Sequence, residues 1–299
     1  MKKTRFSWYL YQFSYYIQNR FSSNKKPLLG GIKLTHNCNL KCKHCPFWKK
    51  ERRNIPFLTA KKSFMKLYKL GVRILIIEGG EPLLWKENAH DIHNIIDEAN
   101  KLFYCTGITT NGTLPIDVNT KIVWVSIDGL KDTHDYIRGK SFDKIISNIK
   151  KSSHPNIYAN ITINSLNWKE VGELVKFLSE IVKGITIQFF YPYMDIEDEL
   201  ILTHRQRNTV LNNLIDLKKK GYPVSVSFAC LSALKDNKWK CRPWMISSVD
   251  PDGTLTVGCY VKNRGEIACE KCGFAAHTEI SLAFNCNIES IITGNKIFR

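Results

Sequence analysis

GIKLTHNCNLKCKHC, residues 31–45, is the most informative stretch of this 299-residue chain, because a short apolar segment leads directly into three closely spaced cysteines. Cys38, Cys42 and Cys45 follow the spacing C-x3-C-x2-C. Three thiolates can hold three irons of a 4Fe-4S cluster and leave the fourth iron open, whereas a closed electron-transfer cluster normally takes four cysteines. The alternative is a zinc site, which lacks an obvious fourth ligand on this loop. The spacing therefore favours an iron–sulfur cluster with one open coordination position.

Segments typical of strands and helices alternate around this loop, from residue 30 to about residue 190. Short apolar runs predict six strands, and longer segments with apolar residues at helical spacing predict the helices between them. The predicted strands are Gly31–Thr35, Arg73–Glu78, Tyr104–Thr109, Ile122–Ile127, Ile157–Ile163 and Ile185–Phe190. The predicted helices are Thr59–Leu70, Ala89–Leu102, Phe142–Lys151 and Trp168–Val182. The alternation predicts an α/β fold, an incomplete (β/α)6 TIM-type barrel whose functional residues lie at the C-terminal ends of its strands.

The alternation weakens after the sixth predicted strand. Thr203–Lys220 is typical of a helix, and the chain from Cys230 onward is compact, turn-rich and cysteine-bearing. We therefore predict an N-terminal helix in residues 1–29, the partial barrel in residues 30–200, and a small cysteine-rich C-terminal domain in residues 201–299. Clustered cysteines without a secretory signal indicate metal ligation in a reducing cytoplasm rather than a disulfide framework.

A glycine pair stands directly after the second predicted strand, in the motif Gly79-Gly80-Glu81-Pro82. Two glycines let the backbone approach a ligand closely. Alone, such a motif is typical of an ordinary turn. Its position one βα unit after the cysteine loop predicts that its backbone groups contact a ligand held at the cluster.

The cysteine triad followed by this glycine motif resembles the radical S-adenosylmethionine (SAM) superfamily, over approximately residues 30–190. The resemblance implies a 4Fe-4S cluster on Cys38, Cys42 and Cys45, with SAM chelated by the open iron. It also implies that an electron from a small-molecule reductant, a flavodoxin or a ferredoxin cleaves SAM to a 5′-deoxyadenosyl radical. Cluster and SAM would carry the chemistry, while the protein orients them.

The same resemblance implies a set of SAM contacts. Backbone groups of residues 79–82 would bind the methionine amine. Polar side chains after the later strands would also face SAM: Thr110, Asn111, Ser126, Asp128, Arg138 and Asn164. Arg138 suits the SAM carboxylate, because two parallel donors match two acceptors. His44 stands where the family often has an aromatic residue near the adenine. For Ser126, Asp128, Arg138 and Asn164, a helix cap or a turn is the alternative role.

Cysteines in the tail predict a second metal site. Four thiolates could bind an auxiliary 4Fe-4S cluster, which we favour, or structural zinc. The preferred ligands are Cys241, Cys259, Cys269 and Cys272, with Cys230 and Cys286 in reserve. The tail resembles the SPASM and twitch auxiliary-cluster domains. It also resembles the tails of lipid-acting radical SAM proteins such as the hopanoid adenosyl-transferring enzymes, in the order C-x-P-W, Gly, Cys-Tyr, C-x2-C.

The N-terminal segment combines aromatic residues with bases. Its apolar residues recur at helical spacing: Phe6, Tyr9, Leu10, Phe13, Tyr16, Ile17 and Phe21. Its bases stand at the two ends: Lys2, Lys3, Arg5, Arg20, Lys25 and Lys26. This pattern predicts either peripheral contact with the inner face of a membrane through residues 1–26 or a helix packed over the open side of the barrel. The segment is too polar for a signal peptide or a membrane span.

From these residues and the resemblance, we predict a radical SAM enzyme that functionalises an unactivated C–H bond or an alkene. The favoured outcome is carbon–carbon bond formation on a membrane lipid. One alternative is SPASM- or twitch-like modification of a ribosomally made peptide. Another is tRNA modification, since the formal net charge of +17 also suits nucleic acid, which we rank as the weaker partner. A simple iron–sulfur carrier or zinc module would leave the motif at residues 79–82 without a purpose.

Overall fold

The computed structural model describes residues 4–192 and 198–298, and its central element is an open eight-stranded sheet in the order β10-β9-β1-β2-β5-β6-β7-β8. The strands of this sheet are β1 Leu29–Lys33, β2 Ile74–Glu78, β5 Cys105–Thr110, β6 Ile122–Ser126, β7 Ile157–Ile163, β8 Gly184–Phe189, β9 Ile246–Val249 and β10 Leu255–Val257. A separate short hairpin consists of β3 Lys86–Glu87 and β4 His90–Asp91. All neighbouring pairs in the large sheet are parallel except β9 and β10.

The six predicted strands are present in sequential order, with their ends shifted by two residues or fewer. The predicted α/β fold with an incomplete barrel is therefore confirmed, and the sheet is not closed into a barrel in the described part of the chain. Parallel strands place all their C-terminal ends at one edge, so the cysteine loop after β1 and the glycine motif after β2 lie together at that edge.

Ten α-helices occur in the described residues. They are α1 Arg5–Phe21, α2 Phe57–Leu70, α3 Ile92–Leu102, α4 Lys131–Arg138, α5 Phe142–Lys151, α6 Val171–Leu178, α7 His204–Lys219, α8 Phe228–Ala233, α9 Ala275–Phe284 and α10 Ile288–Phe298. Helix α3 begins three residues later than predicted, because the β3–β4 hairpin occupies its expected start and Asp91 forms a capping box with Asn94.

The two faces of the sheet differ in burial. On the outer face, residues such as Leu75, Val123 and Ala159 are fully buried against α2, α3, α5 and α6. On the inner face, alternate residues remain half-buried: Gly31, Glu78, Thr109, Trp124, Asn160, Thr186 and Gln188. Since side chains alternate between faces along a strand, this pattern shows a concave surface that solvent reaches.

The tail contributes two strands that the sequence did not predict. Strand β9 pairs in parallel with β1, and β10 returns antiparallel to β9. The barrel sheet therefore extends into residues 246–257, and the predicted boundary near residue 200 does not coincide with its edge.

Helix α1 closes the end of the barrel opposite the cysteine loop. Trp8 stacks on Tyr104 with ring centroids 4.2 Å apart, and it packs in a cluster with Ile74, Cys105 and Ile122, the first residues of β2, β5 and β6. The helix therefore covers the barrel at the end where its strands begin, and not over the open side as the sequence alternative had it. In residues 4–192 and 198–298, no helix is long and apolar enough to cross a bilayer. Lys2 and Lys3 lie outside the described residues.

Candidate active site

The cysteine loop leaves β1 and is held by hydrogen bonds from three directions. The backbone N–H of Lys43 donates to the carbonyl of Ile137 at 2.9 Å. The indole N–H of Trp48 donates to the carbonyl of Cys42 at 3.0 Å, and Asn39 Nδ2 donates to Thr113 Oγ1 at 2.8 Å. These contacts fix the loop backbone before any cofactor arrives.

The three thiols of the loop are supplied with donors. The N–H of Leu40 and Asn111 Nδ2 approach Cys38 Sγ at 3.4 and 3.8 Å, and Arg138 Nη1 lies 3.8 Å from Cys42 Sγ. Burial raises the pKa of Cys42 to about 12, against the opposing charge of Arg138. A cluster needs thiolates, so the donors and the guanidinium offset the cost of burying that charge.

These donors make the triad a fitting anchor for an iron–sulfur cluster. Among the described residues, no group of three or more His, Cys, Asp or Glu side chains converges on a single metal ion. A cluster does not require such convergence, because each thiolate binds a different iron. The donor set therefore suits a cluster better than a mononuclear zinc ion.

The glycine motif packs against the cysteine loop. Gly79 has φ +142°, and a Cβ on it would lie 2.6 Å from the carbonyl oxygen of Thr35. A Cβ on Gly80 would lie 2.2 Å from the carbonyl oxygen of Asn37. The N–H groups of Gly80 and Glu81 donate to these same two carbonyls at 2.7 and 2.8 Å. The glycines thus allow two loops to touch. The carbonyls of Glu81 and Pro82 already accept from the N–H groups of Leu84 and Trp85, so those of Gly79 and Gly80 are the motif's candidates to accept from a SAM amine.

Glu81 links two strand ends instead of projecting into solvent. Its fully buried carboxylate accepts from Thr110 Oγ1 and the N–H of Asn111, both at 2.7 Å, and from the N–H of Leu83 at 3.1 Å. Burial raises the Glu81 pKa, and these hydrogen bonds oppose the rise. The Thr110 hydroxyl is therefore bonded to Glu81, whereas the Asn111 side-chain amide donates to Cys38 Sγ and Asn39 Oδ1. Pro82, also buried, begins a short 3-10 turn.

Asp128 and Arg138 form a buried ion pair beside the cluster loop. Arg138 Nε donates to Asp128 Oδ2 at 2.5 Å, and the other carboxylate oxygen accepts from the N–H of Thr162 at 2.7 Å. Burial alone would raise the pKa of Asp128, but the charge of Arg138, the His44 ring and these hydrogen bonds lower it overall. Arg138, expected at the SAM carboxylate, is thus already paired with Asp128 and Cys42, and its contact with SAM stays a prediction.

His44 is held against this pair. Its Nε2 lies 3.6 Å from Asp128 Oδ2, and its buried Nδ1 has no partner among the described residues. Burial lowers the His44 pKa to about 4, so the ring is neutral near pH 7. A neutral imidazole with one unsatisfied nitrogen is suited to hydrogen bonding with a polar heterocycle such as adenine.

The two other expected SAM contacts, Asn164 and Ser126, differ in whether their side chains are used within the protein. Asn164 is fully buried: its Oδ1 accepts from the N–H of Leu166 at 2.9 Å, and its own N–H donates to Asn167 Oδ1 at 2.8 Å, which is the turn alternative. Ser126 ends β6 on the inner face, paired in register with Asn160. Of the two, Ser126 is better placed to reach a ligand.

A buried charge cluster beside the triad escaped the sequence analysis. Lys33 Nζ lies 2.9 Å from Glu78 Oε1 and 3.8 Å from Asp250 Oδ1, and 4.4 Å from the centroid of the Tyr260 ring. Arg264 Nη2 also pairs with Asp250 at 2.9 Å. Burial lowers the Lys33 pKa, against the charge of Glu78. The signal was a lysine between Ile32 and Leu34 in an otherwise apolar strand, but its partner Asp250 lies more than two hundred positions away.

The opposite wall of the concave surface is polar and uncharged. Thr186 Oγ1 donates to Asn160 Oδ1 at 2.9 Å, and Gln188 Nε2 donates to Thr162 Oγ1 at 3.1 Å. Thus, the inner face carries charges at the C-terminal ends of β1 and β2, and hydrogen-bonding groups from the middle to the C-terminal ends of β7 and β8.

Four tail thiols interact electrostatically with one another. Partial burial is the main cause that raises the pKa of Cys241, to about 12, and the nearby thiols of Cys272, Cys259 and Cys269 raise it in the same direction. The reserve ligands are engaged elsewhere: the Cys230 thiol donates to the carbonyl of Ala275 at 3.6 Å, and Cys286 Sγ lies 3.0 Å from Tyr16 Oη. The four preferred cysteines are therefore neighbours. Cys105 is fully buried in the core.

Comparison with known proteins places this site in context. The profile of the radical SAM superfamily matches residues 32–178. The Fe-coproporphyrin III synthase of Methanosarcina barkeri is 28% identical over 231 residues, covering 69% of this chain and 56% of the relative. The sporulation killing factor maturation protein SkfB of Bacillus subtilis is 30% identical over 166 residues, covering 50% of this chain and 39% of the relative. The chain thus spans only about half, or less, of each relative's length.

A solved structure resembles the fold over most of the chain. Streptococcus suis SuiB bound to the precursor peptide SuiA superposes with a TM-score of 0.64 and 18% identity, over 91% of this chain and 67% of SuiB. At this identity the likeness establishes the fold alone.

Proposed function

Because the chain belongs to the radical SAM superfamily, whose members are enzymes, we propose that it modifies a ribosomally made peptide. When bound, the 4Fe-4S cluster and SAM supply a 5′-deoxyadenosyl radical. The chain's own contribution is to anchor the cluster on Cys38, Cys42 and Cys45, to hold that loop against Gly79 and Gly80, and to offer a concave face on which a substrate rests.

The polarity of this concave face carries the proposal. From the middle of the strands to the cysteine edge, the face presents Glu78, Asn160, Thr186 and Gln188, all half-buried and all capable of hydrogen bonding. Each of these side chains keeps further hydrogen-bonding capacity beside its partner within the protein. A peptide backbone can use that capacity, whereas an acyl chain would cover it without supplying donors or acceptors. The apolar residues of the inner face lie at the other end, under α1.

Two of the known neighbours point in the same direction, whereas the relative from Methanosarcina barkeri is a porphyrin enzyme by name. SuiB was solved with a precursor peptide bound, and SkfB is a maturation protein for a killing factor. The prediction that the substrate is a membrane lipid rests on the resemblance of the tail and on the aromatic and apolar residues of α1. Since α1 lies at the barrel end away from the cysteines, its contact with a membrane would not bring a lipid chain to the cluster.

The function is tested by supplying candidate substrates to the anaerobically reconstituted protein with SAM and dithionite. We expect a peptide fraction from the host, but not its lipid extract, to accelerate deoxyadenosine formation and to yield peptides of altered mass. Removing one hydroxyl from the inner face by Thr186→Val should lower the peptide-dependent rate about fivefold, the value of one hydrogen bond near 1 kcal/mol.

Thr209→Val is the matched control, because its hydroxyl donates to the carbonyl of Arg205 on an exposed helix. This variant should retain the peptide-dependent rate. Altered lipids or tRNA with unchanged peptides would overturn the proposal.

We further propose that Cys241, Cys259, Cys269 and Cys272 bind an auxiliary 4Fe-4S cluster. The proximity of the Cys241 thiol to those of Cys259, Cys269 and Cys272 supports this ligand set, because each iron of a cluster takes its own thiolate. A variant with alanine at Cys38, Cys42 and Cys45 should therefore retain roughly four irons per chain after anaerobic reconstitution. Metal analysis with Mössbauer spectroscopy measures this.

The control is alanine at Cys230 and Cys286 in that triple variant, which should leave the remaining iron unchanged. Zinc in the tail, or no metal at all, would contradict the assignment.

A further inference from the structure

Helix α1 has two apolar faces, and residues 4–192 and 198–298 cover only one of them. Trp8 and Tyr15 pack on the barrel end with exposures of 3% and 5%. On the opposite face Phe6, Leu10, Phe13, Ile17 and Phe21 are 72, 54, 68, 40 and 82% exposed. Their spacing of i, i+4, i+7, i+11 and i+15 keeps them in one continuous row, which we call the outer stripe.

Helix α10 carries further exposed apolar side chains next to α1. It runs beside α1, since Asn295 Oδ1 accepts from Trp8 Nε1 and Gln12 Nε2, both at 3.3 Å. Its residues Ile288, Ile291 and Ile292 are also exposed, at 72, 40 and 49%. Rows of large apolar side chains of this extent mark a docking surface rather than a solvated face.

The positive charge of the N-terminal segment favours an anionic lipid surface as the partner of the outer stripe. Residues 1–26 contain six bases and no acidic residue: Lys2, Lys3, Arg5, Arg20, Lys25 and Lys26. Basic residues that flank an apolar helical face are attracted to anionic lipid head groups, while the apolar side chains enter the interface. The same charges oppose the pairing of two outer stripes in a dimer, because like charges would face each other.

We propose that the outer stripe of α1 docks the enzyme on an anionic membrane with its active site facing away from the lipid. Trp8 contacts the first residues of β2, β5 and β6, whereas the cysteines follow the last residue of β1. Strands of five to seven residues separate the two ends, a distance of about 20 Å at roughly 3.3 Å per residue. Docking thus localises the enzyme near a membrane but leaves its opening to substrates delivered from the aqueous side. The inference is independent of the substrate proposed above.

Flotation of the full-length protein with vesicles tests the docking. We expect binding to vesicles of mixed phosphatidylcholine and phosphatidylglycerol that weakens as salt screens the basic residues. Phe13→Gln with Ile17→Gln should lower the partition coefficient at least tenfold, because two apolar side chains no longer enter the interface. The matched control is Leu58→Gln with Met65→Gln, at exposures of 68 and 42% on α2, which should bind as the parent does.

Carbene footprinting on the same vesicles tests the orientation. Phe6, Phe13 and Phe21 should lose labelling, whereas Tyr136, 60% exposed beside the cysteine loop where the Lys43 ammonium lies over its ring, should keep it. Failure of the intact protein to float at low salt, unchanged flotation of the stripe variant, or a solution dimer that masks the stripe would overturn the docking. Protection of Tyr136 would overturn the orientation. None of these readouts requires SAM cleavage, so they fail separately from the function.

Discussion

Alanine at Cys38, Cys42 and Cys45 together is expected to abolish SAM cleavage and to remove one 4Fe-4S cluster. The physical reason is that these thiolates are the protein's anchors for the cluster, and the neighbouring groups cannot replace them. Asn111 and Arg138 approach the sulfurs with N–H donors, which do not ligate iron. The measurement is deoxyadenosine formation with dithionite and SAM, together with iron content after anaerobic reconstitution.

The control for this variant removes three cysteines outside the triad. Alanine at Cys105, Cys230 and Cys286 takes away the same number of thiols, and two of these are fully buried. It should cleave SAM at a rate comparable to the parent. Deoxyadenosine formation by the first variant at the parental rate would refute the role of the triad.

Sequence patterns predicted the parts of this fold that depend on local periodicity. All six barrel strands are Ile- or Val-containing runs between helical segments, so their order and their shared C-terminal edge could be deduced. Strands β9 and β10 could not, because Ile246–Val249 is only four residues long and its partner β1 lies far away along the chain. The Lys33 cluster was missed for the same reason, since it depends on this long-range pairing.

The candidate site was predicted at the level of which residues meet, but not of what each one contacts. Motif positions brought Glu81, Asp128 and Arg138 to the cysteine edge, as expected. A motif does not reveal whether a side chain faces a ligand or another side chain, however. Glu81 bonds to Thr110 and Asn111, and Arg138 bonds to Asp128, so both first serve the preorganisation of the loop.

The N-terminal helix also shows what sequence composition cannot predict. Its aromatic and basic composition predicted an interfacial helix or a barrel cover as alternatives, and composition alone could not separate them. The structure shows that one face covers the barrel through Trp8 and Tyr15, and that the outer stripe remains open. The two interpretations therefore apply to opposite faces of one helix, with membrane docking still to be measured.

The last expected result is a large loss of stability when the buried ion pair is broken. Asp128→Asn leaves the guanidinium of Arg138 buried without its counter-charge, and we expect the free energy of unfolding to fall by about 3–5 kcal/mol. Urea denaturation at matched cofactor loading measures it. The control Asp143→Asn removes the partner of Lys131 at an exposed site, where solvent screens the pair and the loss should be much smaller than for Asp128→Asn.

Two further observations separate a charge effect from a simple loss of shape. Adding Arg138→Met to Asp128→Asn should recover part of the stability, because the unpaired charge is then gone.

The pH dependence of the stability has a definite sign as well. The folded-state pKa of Asp128 is lowered, so the stabilisation by the ionised carboxylate is complete above the unfolded pKa of about 3.9 and is lost as pH falls through the lower folded-state pKa. The difference between parent and Asp128→Asn should therefore be constant near neutral pH and shrink in acid. A difference that is the same at all pH values, or no recovery in the double variant, would show that the ion pair does not stabilise the loop by its charge.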